Sequence, residues 1–297
     1  MPAKLKIILA MTVFGTLAIF VKNIQLTTTE IALFRALIAA TVLVGYKLLL
    51  GKRIIFAEIK KDLILLFISG AAIGFNWILL FEAYNHTTVS IATLSYYFAP
   101  AIVIAVCPLL FRERLTVKQI VCFIMASVGL IMIIGVGGAE QAGNNLLGIA
   151  FGLGAAVLYA TVIILNKYIK KVTGIDRTLI QFFAGIIILV PYTLATTGIN
   201  FGGMDSIGII SLLTLGIVHT GISYVLYFSA LKDLKGQEVA ILSYIDPLVA
   251  VIISVAVLNE AITLQQIIGG MLILGFTLLN EIKLKPERII GVQKRGG

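Results

Sequence analysis

Charge is what this sequence has least of. Asp, Glu, Lys and Arg together make up 12% of its 297 residues, against about 25% in an ordinary soluble domain, and that deficit excludes a water-soluble globular fold. Cysteine is nearly absent as well. Cys107 and Cys122 both fall in apolar stretches, where packing is the expected role and nothing points to a disulfide framework. His86 and His219 are the two histidines, and no metal-ligand cluster can be assembled around them. There is no Ser or Cys nucleophile beside a credible base and no phosphate-cradling glycine loop followed by Lys. The expectation is a chain that is not an enzyme, holds no metal or cofactor and, lacking a cytosolic domain, does not itself hydrolyse ATP.

What is present is hydrocarbon. Hydrophobic residues account for 60% of the chain and the mean hydropathy is +1.08. They come in ten blocks, each close to the roughly 20 residues that cross a bilayer as a helix: 5–22, 29–50, 62–84, 88–111, 116–136, 146–168, 177–197, 207–231, 236–258 and 263–281. The first block follows Lys4 and Lys6 as a signal peptide would, but no small-residue cleavage site succeeds it and nine more blocks do. The predicted fold class is therefore an all-α integral membrane protein with ten transmembrane helices.

The net charge of +9 invites a nucleic-acid partner, and its distribution rejects one. With the N-terminus inside, 21 of the 23 Lys and Arg residues fall on inner segments. Only Lys22 reaches an outer loop, and Arg35 lies within block 2. By the positive-inside rule this bias puts both termini in the cytoplasm, in a multi-pass protein of the cell inner (plasma) membrane. The lipid bilayer is the partner that the charge reports.

Shifted by 147 residues, the chain matches itself without a gap: residues 83–120 fall on 230–267. Tyr97 meets Tyr244, Pro100 meets Pro247, Glu113 meets Glu260, Thr116 meets Thr263 and Gln119 meets Gln266, with Gly74 on Gly221 upstream. The expected organisation is a first five-helix repeat over 1–140, a second over 146–285, and a basic cytoplasmic tail over 286–297. Five helices is an odd number, so the second repeat enters the membrane inverted, and such architectures hold substrate near the midplane between the halves.

Ten helices, two five-helix repeats, and a Pro followed by Glu and Thr at the ends of blocks 4 and 9 resemble the drug/metabolite transporter superfamily, specifically its EamA-type members. The resemblance covers nearly the whole chain. It implies a secondary transporter, often an exporter of amino acids or related metabolites, with a central cavity lined mainly by helices 1 to 4 and 6 to 9.

Residues kept in both halves serve what the halves share, which is folding. Pro100, Pro247, Glu113, Glu260, Tyr97 and Tyr244 fall in that group, the prolines bending their helices and the glutamates holding adjoining loops. Gly70 with Gly74, and Gly148 with Gly152, have the small-xxx-small spacing of close helix contacts.

Polar residues that differ between the halves are the substrate candidates. Asp246 stands opposite Ala99, Ser243 opposite Tyr96, His219 opposite Ala72, Asn76 opposite Ser223, and Glu82 opposite Ser229. Asp246 lies ten residues in from Gly236, or ~15 Å at about 1.5 Å per residue, near half of a hydrocarbon core roughly 30 Å thick. An ionisable group there costs about 2.5–3.5 kcal/mol on insertion scales and is functional by default. Ser243 shares its helix face. His219, Ser223 and Tyr227 recur every four residues as one polar stripe, from which His219 is expected to meet Asp246. Trp77, Tyr84, Tyr96, Tyr224 and Tyr227 offer aromatic faces to a cation or an apolar ligand, and packing or anchoring at the membrane interface is the competing role for each. Arg35 and Glu82 sit at a similar level, so an ion pair between them competes with capture of a substrate carboxylate by Arg35.

The leading expectation is a transporter exporting a small metabolite such as an amino acid or amine by alternating access, with Asp246 receiving the ammonium group or, in its place, a proton. The alternatives are broad drug efflux or metabolite uptake, and from other classes an intramembrane enzyme or a channel.

Overall fold

The structure is a computed structural model that describes residues 1–51, 56–111, 116–134, 142–169, 172, 174–200, 203–230, 233–234 and 242–282. Among these residues there is no strand; every element is helical. In chain order they are α1 (Ala3–Gly15), α2 (Leu17–Lys22), α3 (Thr28–Leu49), α4 (Phe56–His86), α5 (Val89–Tyr96), α6 (Ala99–Phe111), α7 (Val117–Ile134), α8 (Ala142–Tyr168), α9 (Gly174–Thr196) and α10 (Ser206–Thr214). A π-helical segment (Leu215–Ile222) follows, then α11 (Ser223–Ala230), α12 (Ile245–Ala256) and α13 (Leu264–Glu281). Glu113, the beginning of block 9 and the basic tail lie outside the described residues.

Among the described residues, seven helical stretches are long and apolar enough to cross a membrane: Ala3–Lys22, Thr28–Leu49, Asp62–His86, Val89–Val106, Asn145–Asn166, Gly174–Thr196 and Ser206–Ala230. Three shorter apolar helices, Val117–Ile133, Ile245–Ala256 and Leu264–Asn280, fall on the remaining blocks. Leu49, Ile64, Ile131, Ile187, Ile210, Ile252 and Met271 are all exposed, and an outer surface this rich in large aliphatics belongs in lipid. The chain is a multi-pass membrane protein.

Several ends and breaks have identifiable causes. Thr116 and Gln119 cap each other across the start of α7, the Thr116 N–H donating to Gln119 Oε1 at 2.9 Å and the Gln119 N–H to Thr116 Oγ1 at 3.2 Å. Thr263 and Gln266 do the same at α13 with the same two distances. The duplicated Thr-x-x-Gln is thus a capping box. The duplicated prolines mark breaks: α5 ends at Tyr96 with Tyr97 as its cap, and α6 resumes at Ala99; α12 begins at Ile245 behind a cap at Tyr244. Pro100 and Pro247 therefore occupy the first turn of a new helix, where a missing N–H leaves no hydrogen bond unmade.

Several helices pack in matching pairs under the 147-residue offset. α4 lies against α8 as α11 lies against α1, α4 crosses α9 as the π segment crosses α3, and α7 packs on its counterpart α13; α5 also lies against α12. Glycine sets the closest of these approaches. A methyl group at Gly74 would strike Leu189, and one at Gly221 would strike Val42; each of these residues is 147 positions from its counterpart. Gly70 abuts the Gln181 carbonyl, Gly148 meets Thr87, and Gly152 meets Ser95, as the small-xxx-small spacing predicts.

Candidate functional site

Asp246 sits in the first turn of α12, where the unsatisfied N–H groups of a helix N-terminus favour negative charge. The break ahead of Pro247 brings that N-terminus inside a block that would otherwise be one uninterrupted span. A carboxylate in mid-block is tolerable because a helix begins there. From α5, the Tyr97 hydroxyl donates to Asp246 Oδ2. From the break between α1 and α2, Gly15 lies against the Asp246 carbonyl and Val249, so that a side chain at Gly15 would push α12 away. Among the described residues no Lys, Arg or His forms an ion pair with the Asp246 carboxylate.

Around the carboxylate stands a set of aromatic side chains. Asp246 is within electrostatic reach of Arg35 and of the phenols of Tyr84, Tyr96, Tyr97, Tyr159 and Tyr224. Tyr96 packs edge-on to Tyr97 and, tilted, on Tyr159, with ring centroids 5.6 and 5.4 Å away. Tyr224 meets Phe14 and Phe182, each at 5.5 Å, and Phe182 meets Trp77 at 5.4 Å. Tyr159, packed on Tyr96, keeps 40% of its surface accessible, and together with the neighbouring rings it lines the candidate chamber at this carboxylate.

Arg35, on α3, is 3% exposed. Its Nε donates to Thr220 Oγ1 at 2.7 Å, and its guanidinium lies 4.4 Å from the Trp77 ring centroid and 5.7 Å from that of Phe81. The π segment prepares this contact: Thr220 donates to the carbonyl of Leu215, five residues back, at 2.9 Å, which turns its oxygen toward Arg35. Single π turns within helices recur at functional positions. This one has no counterpart in α4.

The structure redistributes several sequence expectations. Arg35 and Glu82 do not pair: Glu82 reaches His86 at 3.2 Å and Asn85 at 3.5 Å, one helical turn along its own helix, and stays 31% exposed. His219 does not meet Asp246. Its Nε2 bonds Thr16 Oγ1 at 3.0 Å, its Nδ1 faces the Thr214 carbonyl at 3.3 Å, and its ring abuts Phe20, so the π turn rotates the histidine to the break between α1 and α2. Asn76 clamps α4 to α8 through the Ala155 carbonyl at 2.6 Å. Ser223 bonds the Val218 carbonyl at 2.9 Å and serves the π segment. Trp77, Tyr96 and Tyr227 remain beside the chamber, Tyr227 edge-on to Phe228, and Ser243 is half-buried just before α12.

Glu260 is a staple. Its carboxylate accepts from the Val89 N–H at 2.7 Å and from Ser254 Oγ at 2.5 Å and pairs with Lys22 at 2.5 Å, tying α2, α5 and α12 together. Tyr97, Tyr159, Thr220 and Thr16 were not singled out as site residues from the sequence. Tyr97 was hidden by its duplicate Tyr244, and Tyr159 and Thr220 carry no signal beyond polarity within an apolar block.

Known proteins agree with this architecture. The chain is 29% identical over 276 residues to the uncharacterized transporter YxxF of Bacillus subtilis, covering 91% of this chain and 86% of that one. It is 29% identical over 278 residues to an uncharacterized transporter of Archaeoglobus fulgidus, with 92% and 94% covered. It is also 23% identical to the uncharacterized inner membrane transporter YicL of Salmonella typhimurium, with 93% of each chain covered. A solved crystal structure shares the fold with a TM-score of 0.63 at 16% identity, spanning 93% of this chain and 95% of the other. The model of the EamA-like transporter family matches twice, over residues 1–135 and 146–281, and so this membrane protein belongs to the EamA-like transporter family.

Proposed function

We propose that the chain is a ten-span secondary transporter, built as two inverted five-helix repeats with both termini in the cytoplasm of the cell and the protein in the plasma membrane. It exports a small amine-bearing metabolite by alternating access, and Asp246 holds the cargo's ammonium group and a proton in turn. The observation that carries this reading is the Asp246 carboxylate, placed in the first turn of α12 among clustered aromatic rings and engaged by a tyrosine hydroxyl rather than by a cation. Discontinuous helices of this kind hold substrates in inverted-repeat carriers, and an unneutralised intramembrane acid marks a site of exchange.

The inverted repeat is supported by the matched packing of α4 on α8 with α11 on α1, by the paired capping boxes and by the double family match. The basic residues of the inner segments support the orientation. Aromatic walls suit an ammonium group through cation–π attraction. The test uses proteoliposomes in two arms: counterflow of labelled amines and amino acids into vesicles preloaded with the same compound unlabelled, and net efflux of that compound from preloaded vesicles into cargo-free buffer with internal pH followed by a trapped dye. Saturable counterflow, and net efflux accompanied by proton entry, are the expected results. Flux that never saturates would make the protein a channel, and net efflux without proton movement would remove the coupling.

A further inference from the structure

The cationic side of the chamber holds a group that the reading above leaves unused. Arg35 is more than nine-tenths buried, and buried arginines inside a membrane ordinarily meet a carboxylate or backbone carbonyls. Here, among the described residues, the guanidinium has one hydrogen bond, from Nε to Thr220. One face is covered by Trp77, and both Nη groups stand without an acceptor. Among the described residues, the buried polar side-chain atoms that lack partners are the hydroxyls of Ser90, Thr93, Ser95 and Thr193; the Arg35 Nη groups are not among them, so part of the 3% of Arg35 that stays accessible lies at these atoms. Glu82, the acid expected to neutralise Arg35, is engaged with His86 and Asn85. Asp246 acts on Arg35 through space without touching it.

We propose that Arg35 is a substrate-binding residue: its two open Nη groups, held in place by Thr220 and Trp77, receive a carboxylate of the cargo while Asp246 takes the amine. This rests on the assignment of the chamber as the transport site and adds its second pole. The chemistry selects a carboxylate. A guanidinium edge offers parallel N–H donors that match a planar carboxylate, whereas a phosphate dianion would meet one cation and the field of Asp246. Fixing Nε and one ring face leaves the fork a single direction in which to bind, so the arginine is oriented before the cargo arrives. Thr220 is a positioning residue in this account, and the π segment is the device that aims it.

The experiment is thermal-shift titration of the purified protein with matched probes: each proteinogenic amino acid, the amine produced by its decarboxylation, and inorganic phosphate. Ligands that bind the native state raise its stability by mass action. For wild type, at least one amino acid is expected to bind about tenfold or more tightly than its own decarboxylated amine, the scale of a lost charge-assisted hydrogen bond, with no response to phosphate. In Arg35→Gln, and more weakly in Arg35→Lys, that preference collapses while the amine's binding persists. Amines that bind wild type as tightly as their amino acids overturn the proposal, and that comparison needs no variant to fold. An unchanged preference in Arg35→Gln, or stabilisation by phosphate, also overturns it. Silence from amines and amino acids alike overturns the amine site and this proposal together, whereas binding by amines alone leaves Asp246 its role and removes that of Arg35.

Discussion

Asp246 shows how one residue's chemistry depends on where a helix begins. Placed in the middle of a continuous helix, its carboxylate would face hydrocarbon with the local N–H groups already bonded. Placed in the first turn of α12, it lies at the positive end of a helix and accepts from Tyr97. Tyr97→Phe keeps the ring and removes that donor. The expected outcome is a loss of about 1.5–3 kcal/mol, the scale of a hydrogen bond to a charged group, read as a lower unfolding temperature of the detergent-solubilised protein and as slower transport. The sequence singled out Asp246 because an acid deep in an apolar block is anomalous by itself. It gave no sign of the Tyr97 bond to Asp246 because comparison of the halves sorts residues by identity, and Tyr97 and Tyr244 share an identity. Polarity within a span likewise does not name its partner: Asn76 bonds the Ala155 carbonyl and His219 the Thr16 hydroxyl.

At the scale of the element, the Pro, Glu and Thr motif resolves into separate mechanical parts. The prolines start new helices, Glu260 binds the first N–H of α5, and the Thr-x-x-Gln boxes close the ends of α7 and α13. Thr263→Ala is expected to destabilise the fold by about 1 kcal/mol, the usual loss for an N-cap. Glu260→Ala leaves the Val89 N–H and Ser254 Oγ without an acceptor and is expected to lose about 1–3 kcal/mol per buried group; chemical unfolding in detergent measures both. These spacings were legible because caps and breaks are local, set within three or four residues. The π segment was not legible. The register of Leu215–Ile222 depends on how it packs against α3 and α10, and the even four-residue stripe of His219, Ser223 and Tyr227 in an ideal helix gave the wrong neighbours once the turn widened.

For the whole molecule, the order of the elements and their packing follow from the repeat, and the contacts between halves fix how closely they approach. Gly74 on Leu189 and Gly221 on Val42 are counterparts, so Gly74→Leu and Gly221→Leu are expected to destabilise to similar extents, about 1–3 kcal/mol or more each from overpacking, as thermal unfolding of the purified variants will report. Hydrophobic block length and the scarcity of charge made the membrane class legible, and a residue offset made the pairing legible. The grouping of residues at the candidate site was not, since they come from α3, α4, α5, α8, α9, α11 and α12, and sequence spacing says little about which faces of separate helices converge. That convergence on one unneutralised carboxylate is the basis of the functional reading. The most direct test is proton-coupled substrate flux in proteoliposomes with Asp246→Asn, an isosteric change that removes the charge. The account predicts a correctly folded protein in which proton movement coupled to the cargo is lost; undiminished, proton-coupled turnover by that variant would contradict it.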